Sequence, residues 1–118
     1  MKAVPDRAQV VIVGGGIVGC SIAYHLTELG VRDVLLLERH ELTSGTTWHA
    51  AGLVAQLRST ENQTKLARYS HELYMRLEEE TGQSTGFHRS GAISVASTVT
   101  RWEELRRNAD MARRLGID

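Results

Sequence analysis

Apolar and polar positions follow three different rhythms along this chain. Val10-Val11-Ile12-Val13 and Val34-Leu35-Leu36-Leu37 are short unbroken apolar runs, the pattern of strands covered on both faces. The first predicts a strand over Gln9–Val13 and the second a strand over Asp33–Glu38. Between them Ile17, Cys20, Ala23, Tyr24 and Leu26 recur at helical spacing, and Gly30 supplies a stop, which predicts a helix from Gly16 to Leu29. A second helical rhythm runs from Ser59 to Thr81, capped by Ser59 or Thr60 and closed by Gly82, with Leu66, Tyr69, Leu73 and Leu77 as its apolar stripe. The run Glu78-Glu79-Glu80 near its end reads as a solvated face. After a turn at Gly86-Phe87-His88-Arg89-Ser90-Gly91, the alternation in Ala92–Ser97 predicts a strand antiparallel to a neighbour. A last helix starts near Thr98–Thr100 and reaches Leu115, with Trp102, Leu105, Ala109, Ala112 and Leu115 facing inward. Its Arg106, Arg107, Arg113 and Arg114 suit a solvated helix end better than a binding patch.

The first strand, helix and second strand make a βαβ unit, and what joins the first two is Gly14-Gly15-Gly16-Ile17-Val18-Gly19. In this pattern Gly14 permits a tight turn, Gly16 lets the main chain approach a pyrophosphate, and Gly19 lets the helix pack close to the strand. A helix start offers unpaired N–H groups and a positive dipole end to a diphosphate. Glu38 follows Gly19 by nineteen residues, near the spacing at which a carboxylate meets an adenosine ribose. The combination predicts a dinucleotide site; the plainer alternative is an α/β core whose glycines serve packing alone. Downstream, Glu41–Val54 is rich in hydroxyls, small residues and glycine, as a loop close to a ligand would be. Ser44, Thr46 and Thr47 can serve phosphate or ribitol oxygens, or equally cap an ordinary turn.

Composition narrows the function classes. With 118 residues there is room for one domain at most. Fourteen basic and fourteen acidic residues give zero formal net charge, so no basic field points to nucleic acid or an anionic membrane. No apolar run is long enough to span a bilayer, and strand residues begin too early for a signal or transit peptide, so the expectation is a soluble, cytoplasmic protein. Cys20, the single cysteine, excludes an internal disulfide framework and a cysteine-cluster metal site, and reads as a buried structural thiol. A βαβ unit needs further strands and helices to cover its sheet. The chain ends just after a helix stop, and reads as the N-terminal piece of a longer polypeptide, its βαβ core spanning about 9–55 and the whole of 1–118 forming a partial domain. Alone it is expected to be inactive, with no metal.

The glycine motif, Leu37-Glu38-Arg39, and above all Thr43-Ser44-Gly45-Thr46-Thr47-Trp48-His49-Ala50-Ala51-Gly52-Leu53 resemble the start of the dimethylglycine and sarcosine dehydrogenases, within the D-amino-acid-oxidase-like FAD-dependent amine oxidoreductases. Leu77–Gly82, Gly86-Phe87-His88 and Gly91-Ala92-Ile93 extend the resemblance over nearly the whole chain. The resemblance implies an α/β fold, the N-terminal part of a FAD-binding Rossmann-like βαβ domain with the beginning of an antiparallel substrate-domain sheet. It implies FAD held covalently through His49 at the 8α-methyl carbon of the flavin. Imidazole is a competent nucleophile for such a bond. Ile17 and Val18 would offer N–H groups to the pyrophosphate, Glu38 would accept from the ribose, Arg39 would lie beside the adenine, and Gly45, Thr46, Thr47, Trp48, His49, Ala50, Ala51, Gly52 and Leu53 would line the flavin half. The implied reaction is oxidation of an N-methylglycine to an iminium, which water hydrolyses or tetrahydrofolate captures. A small N-methylated amino acid is then the substrate, and an electron-transfer partner a further expectation. No catalytic residue is assignable. His25, His40, His71 and His88 read as structural.

Two rivals remain at this point. A noncovalent amino-acid or amine oxidase of the same fold would not need His49. A non-catalytic regulatory relative would be expected to have lost it.

Overall fold

The structure, a computed structural model, describes residues 4–117. It divides into two compact units, one up to Gly52 and one from Leu53 onward.

The first unit is the βαβ core. Strand β1 (Val10–Val13) and strand β2 (Val34–Leu37) pair in parallel, Val10 opposite Val34 and Val13 opposite Leu37, around helix α1 (Ile17–Glu28). The strands coincide with the two apolar runs and are one and two residues shorter than the expected spans Gln9–Val13 and Asp33–Glu38. At the near end Gln9 is held instead by Asp33: its N–H donates to Asp33 Oδ2 at 2.8 Å. At the far end Gly14 N–H still reaches Leu37 O at 2.8 Å, which carries the pairing into the glycine turn. Ile12 is the buried hydrophobic residue of the described chain, at 8% exposure, where α1 packs on the sheet. Ile17, expected on the inner face of α1, is exposed, whereas Cys20, Ala23, Tyr24 and Leu26 are half-buried. Cys20 Sγ lies 3.5 Å from Gly15 O, a weak thiol contact that suits its structural reading.

The second unit is built on helix α2 (Glu61–Thr81) and helix α3 (Val99–Arg114). Thr60 and Thr98 cap them, each side-chain oxygen accepting the N–H three residues on. Gly82, in the left-handed conformation at φ 70°, ends α2. Three exposed i,i+4 pairs, Glu61–Lys65, Arg68–Glu72 and Arg76–Glu80, lie along α2. Pairs this exposed are screened by solvent and contribute little to stability. Arg68 also donates to Leu115 O at 2.9 Å, tying α2 to the C-terminal end of α3.

Half of the expected apolar stripe of α2 is covered, Leu73 and Leu77 being half-buried. Leu66 and Tyr69 are exposed, and the buried residues are Thr64 and His71. Thr64 is covered because its hydroxyl bonds the incoming chain: it accepts from Arg58 N–H at 3.0 Å and donates to Thr60 O at 2.8 Å. His71 is covered by Phe87, whose ring meets the imidazole edge-on at 5.0 Å, and Tyr74 flanks the same ring. Trp102, expected inward on α3, is exposed, while Leu105, Ala109, Ala112 and Leu115 are half-buried.

Ala92–Ser97 forms no strand. A strand is defined by its ladder, and among the described residues the sheet holds β1 and β2 alone, so the alternating segment has no neighbour to pair with. Ile93 and Val95 are correspondingly exposed. The α/β class and the βαβ unit stand; the antiparallel beginning expected at this segment is absent from the described residues. None of their helices is long and apolar enough to cross a membrane.

Candidate functional site

The site begins where β1 turns into α1. Gly14 sits at φ 106°, a conformation open to glycine and costly for other residues, and this lets the chain reverse within one residue. Gly19 is buried on the first turn of α1, and a Cβ added there would lie 1.9 Å from Gly14 O. Helix and turn are therefore in direct main-chain contact. Gly16 is the N-cap of α1 and has no side chain to satisfy the helix's first N–H groups.

Glu38, one residue past β2, closes the turn from the other side. Its Oε2 accepts Gly15 N–H at 2.7 Å, and its Oε1 accepts His40 N–H at 2.9 Å. The Gly15 bond first, and the His40 bond second, hold the Glu38 carboxyl below its ordinary value of 4.5, against a smaller opposing effect of burial. Each carboxylate oxygen keeps a second lone pair, so a ribose hydroxyl can still donate to it. A lowered carboxyl stabilises the fold fully above the unfolded value and loses that contribution as pH falls through the folded one. Thermal midpoints of wild type and Glu38→Gln should accordingly differ at neutral pH and converge below 4.5. Parallel curves through that range would show that the Gly15 bond does not discriminate between charged and neutral carboxyl.

The segment after Glu38 folds back over the glycines. Thr43 N–H donates to Gly15 O at 2.8 Å, so Gly15 has its N–H and its carbonyl both engaged from this side. Thr43 adopts φ 64°, which strains a β-branched residue. Ser44 Oγ donates to Glu41 O at 2.7 Å, an ordinary turn role. Thr46–His49 then forms a single 3-10 turn, in which Trp48 N–H reaches Gly45 O at 3.2 Å and Ala50 N–H reaches Thr47 O at 3.1 Å. Thr47 Oγ1 accepts Ile17 N–H at 2.9 Å. The cap that Gly16 cannot supply is thus provided from thirty residues on.

These contacts bring Gly14, Gly16, Ile17, Gly19, Glu38 and Thr47 together. Arg39, Ser44, Gly45, Thr46, Trp48, His49, Ala50, Ala51 and Gly52 lie exposed along the segment that follows, and Val18 is exposed on the first turn of α1. Leu53 is exposed at the start of the second unit. Ile17 N–H, expected to face a ligand, is given to Thr47 instead. Gly15, Leu42 and Thr43 take part in the turn although no ligand role was read for them; Leu42 Cδ2 would lie 2.5 Å from a Cβ at Gly15. Their only signal was adjacency to the glycine motif and to the hydroxyl-rich loop.

An anion fits this donor set. The bare main chain at Gly16, the start of α1 and the hydroxyl of Thr47 are what a diphosphate requires, and Glu38 is an acceptor of the kind a ribose requires.

The family profile described as FAD dependent oxidoreductase matches residues 9–118. The chain is 54% identical over 101 residues to the rat protein named "Dimethylglycine dehydrogenase, mitochondrial", covering 86% of this chain and 12% of that one. It is 44% identical over 118 residues to the mouse "Sarcosine dehydrogenase, mitochondrial", covering 99% and 13%. It is also 48% identical over 105 residues to the mouse "Pyruvate dehydrogenase phosphatase regulatory subunit, mitochondrial", covering 89% and 12%. The chain spans only about an eighth of the length of these relatives. Among solved structures, the L-amino acid deaminase from Proteus vulgaris superposes with a TM-score of 0.87 at 22% identity, over 100% of this chain and 27% of that one, a likeness of fold.

Proposed function

We propose, from the premise that the chain belongs to the FAD dependent oxidoreductase family, that it is the cofactor-holding part of a covalent-flavin dehydrogenase acting on sarcosine or dimethylglycine. The observation that supports this reading is the position of His49. It stands exposed in a turn whose Thr47 is bonded to the start of α1, and so lies on a segment that returns to the glycine turn.

In this reading the main chain at Val18 faces the diphosphate while Ile17 N–H stays on Thr47, Glu38 takes the adenosine ribose, Arg39 lies beside the adenine, and Gly45 to Leu53 line the flavin, with His49 bonded to it. When bound, FAD supplies the two-electron acceptor for oxidation of the N-methyl carbon. The residues of this chain hold and orient that acceptor; binding of the substrate carboxylate falls to the rest of a longer protein. The 12% and 13% shares of the dehydrogenase relatives support that extension. Tetrahydrofolate as one-carbon acceptor, an electron-transfer partner and a cytoplasmic location belong to the same reading.

A regulatory role is the second reading, and the 48% identity to a phosphatase regulatory subunit favours it. The product of the complete gene separates them. Anaerobic bleaching of the flavin absorbance by sarcosine or dimethylglycine, with formaldehyde formed, is the expected result. Bleaching only by unmethylated amino acids would favour a noncovalent oxidase. A protein that takes up no flavin from excess FAD would favour the regulatory role.

A further inference from the structure

Only one residue of the 3-10 turn is turned inward. Thr46, Trp48 and His49 are exposed, whereas Thr47 is half-buried and its hydroxyl meets the Ile17 N–H. We propose that Thr47 is a positioning residue for the flavin bond at His49: by capping α1 in place of Gly16, it sets where the imidazole stands. This inference rests on the reading of His49 as the flavin-linking residue.

The geometry gives Thr47 two holds at once. Its carbonyl accepts Ala50 N–H at 3.1 Å and closes the turn, and its hydroxyl accepts Ile17 N–H at 2.9 Å and fastens the turn to the helix. The bond from Ala50 N–H to Thr47 O closes the turn around His49, so a displacement of Thr47 is passed to His49 through the main chain. Gly16 makes room for this. A Cβ there would lie 3.1 Å from Thr47 Oγ1, closer than most side-chain contacts allow. The glycine at the helix start therefore admits the threonine as well as leaving the main chain open.

Linkage joins an imidazole nitrogen to the 8α carbon. The methyl C–H and the imidazole N–H each release a proton, the electron pair passes to the ring, and dioxygen removes pair and protons as hydrogen peroxide. A bond of this kind needs the nitrogen held at close approach to the carbon, and a misplacement of about 1 Å costs about a hundredfold in rate.

The test uses the flavin-free product of the complete gene, mixed with excess FAD and sampled over time for flavin that stays with the polypeptide in acid. Thr47→Val keeps the shape and removes the acceptor. At FAD concentrations that saturate both proteins it should link flavin about a hundredfold more slowly, and Thr47→Ser should restore the wild-type rate. Wild-type linking by Thr47→Val overturns the inference alone. Wild type with no acid-stable flavin overturns the His49 reading and this inference with it. Should Thr47→Val not fold, amide exchange in flavin-free wild type decides: a protected Ile17 N–H supports the cap, and exchange at the rate of an unbonded amide overturns it.

Discussion

Replacing Gly19 with alanine is expected to destabilise the first unit by about 1–2 kcal/mol and to weaken ADP binding about tenfold. Two effects oppose each other at this position. Alanine in a helix interior is favoured over glycine by about 1 kcal/mol. Against that, the new Cβ would lie 1.9 Å from Gly14 O and 3.1 Å from Gly14 C, with Ile12 Cγ2 at 3.3 Å. The nearest of these is main chain, and it cannot swing aside as a flexible side chain would. Gly14 is itself fixed, at φ 106° and with its N–H on Leu37 O. The helix must therefore withdraw from the turn. Overpacking of a close contact costs about 1–3 kcal/mol and sometimes more, so the clash outweighs the gain in propensity. Withdrawal also moves Ile17 away from Thr47 and Gly15 away from Glu38, which is why binding should fall together with stability. Urea unfolding and ADP titration of wild type and Gly19→Ala provide the check. An alanine variant as stable as wild type would mean that α1 and the glycine turn are not in the contact described.

Where structure and sequence agree, the causes are local. The glycine spacing, the two apolar runs and the stops at Gly30 and Gly82 act within a few residues, and the β1–α1–β2 unit and both later helices fall close to the expected limits. What could not be read was set at a distance. Nothing in the order of residues says that Thr47 caps a helix thirty positions earlier, or that Glu38 takes the N–H of Gly15. Periodicity marked Leu66 and Trp102 as an apolar face, but a face is buried only if something packs on it, and these two are exposed. Thr64 and His71 are polar and were not read as core. They are covered because a hydroxyl can bond a passing main chain and an imidazole can meet the Phe87 ring edge-on. Ala92–Ser97 carries the alternation of a strand without the neighbour that makes one. The run from Trp48 to Leu53 carries the family resemblance with little regular structure of its own, and the Thr47 bond holds the turn in which it begins.

His49→Ala should abolish acid-stable flavin altogether while leaving the fold intact. His49 is exposed in a turn held by the main chain of Gly45 and Thr47 and by the Thr47 hydroxyl, none of which the substitution touches. Exposed substitutions of this sort change stability by within about 0.5 kcal/mol. Glu38, the glycine turn and the start of α1 are unaltered, so FAD should still bind and then be released completely when the protein is denatured in acid. Thr47→Val and His49→Ala thus differ in kind: the first leaves a nucleophile badly placed and linking slow, the second leaves no nucleophile and linking absent at any time. Fluorescence of the acid-washed polypeptide, read beside its intact mass, distinguishes a missing flavin from a slow one. Flavin that remains attached in His49→Ala would place the bond on another residue. The turn at Thr46–His49 would then not serve to present an imidazole to the flavin.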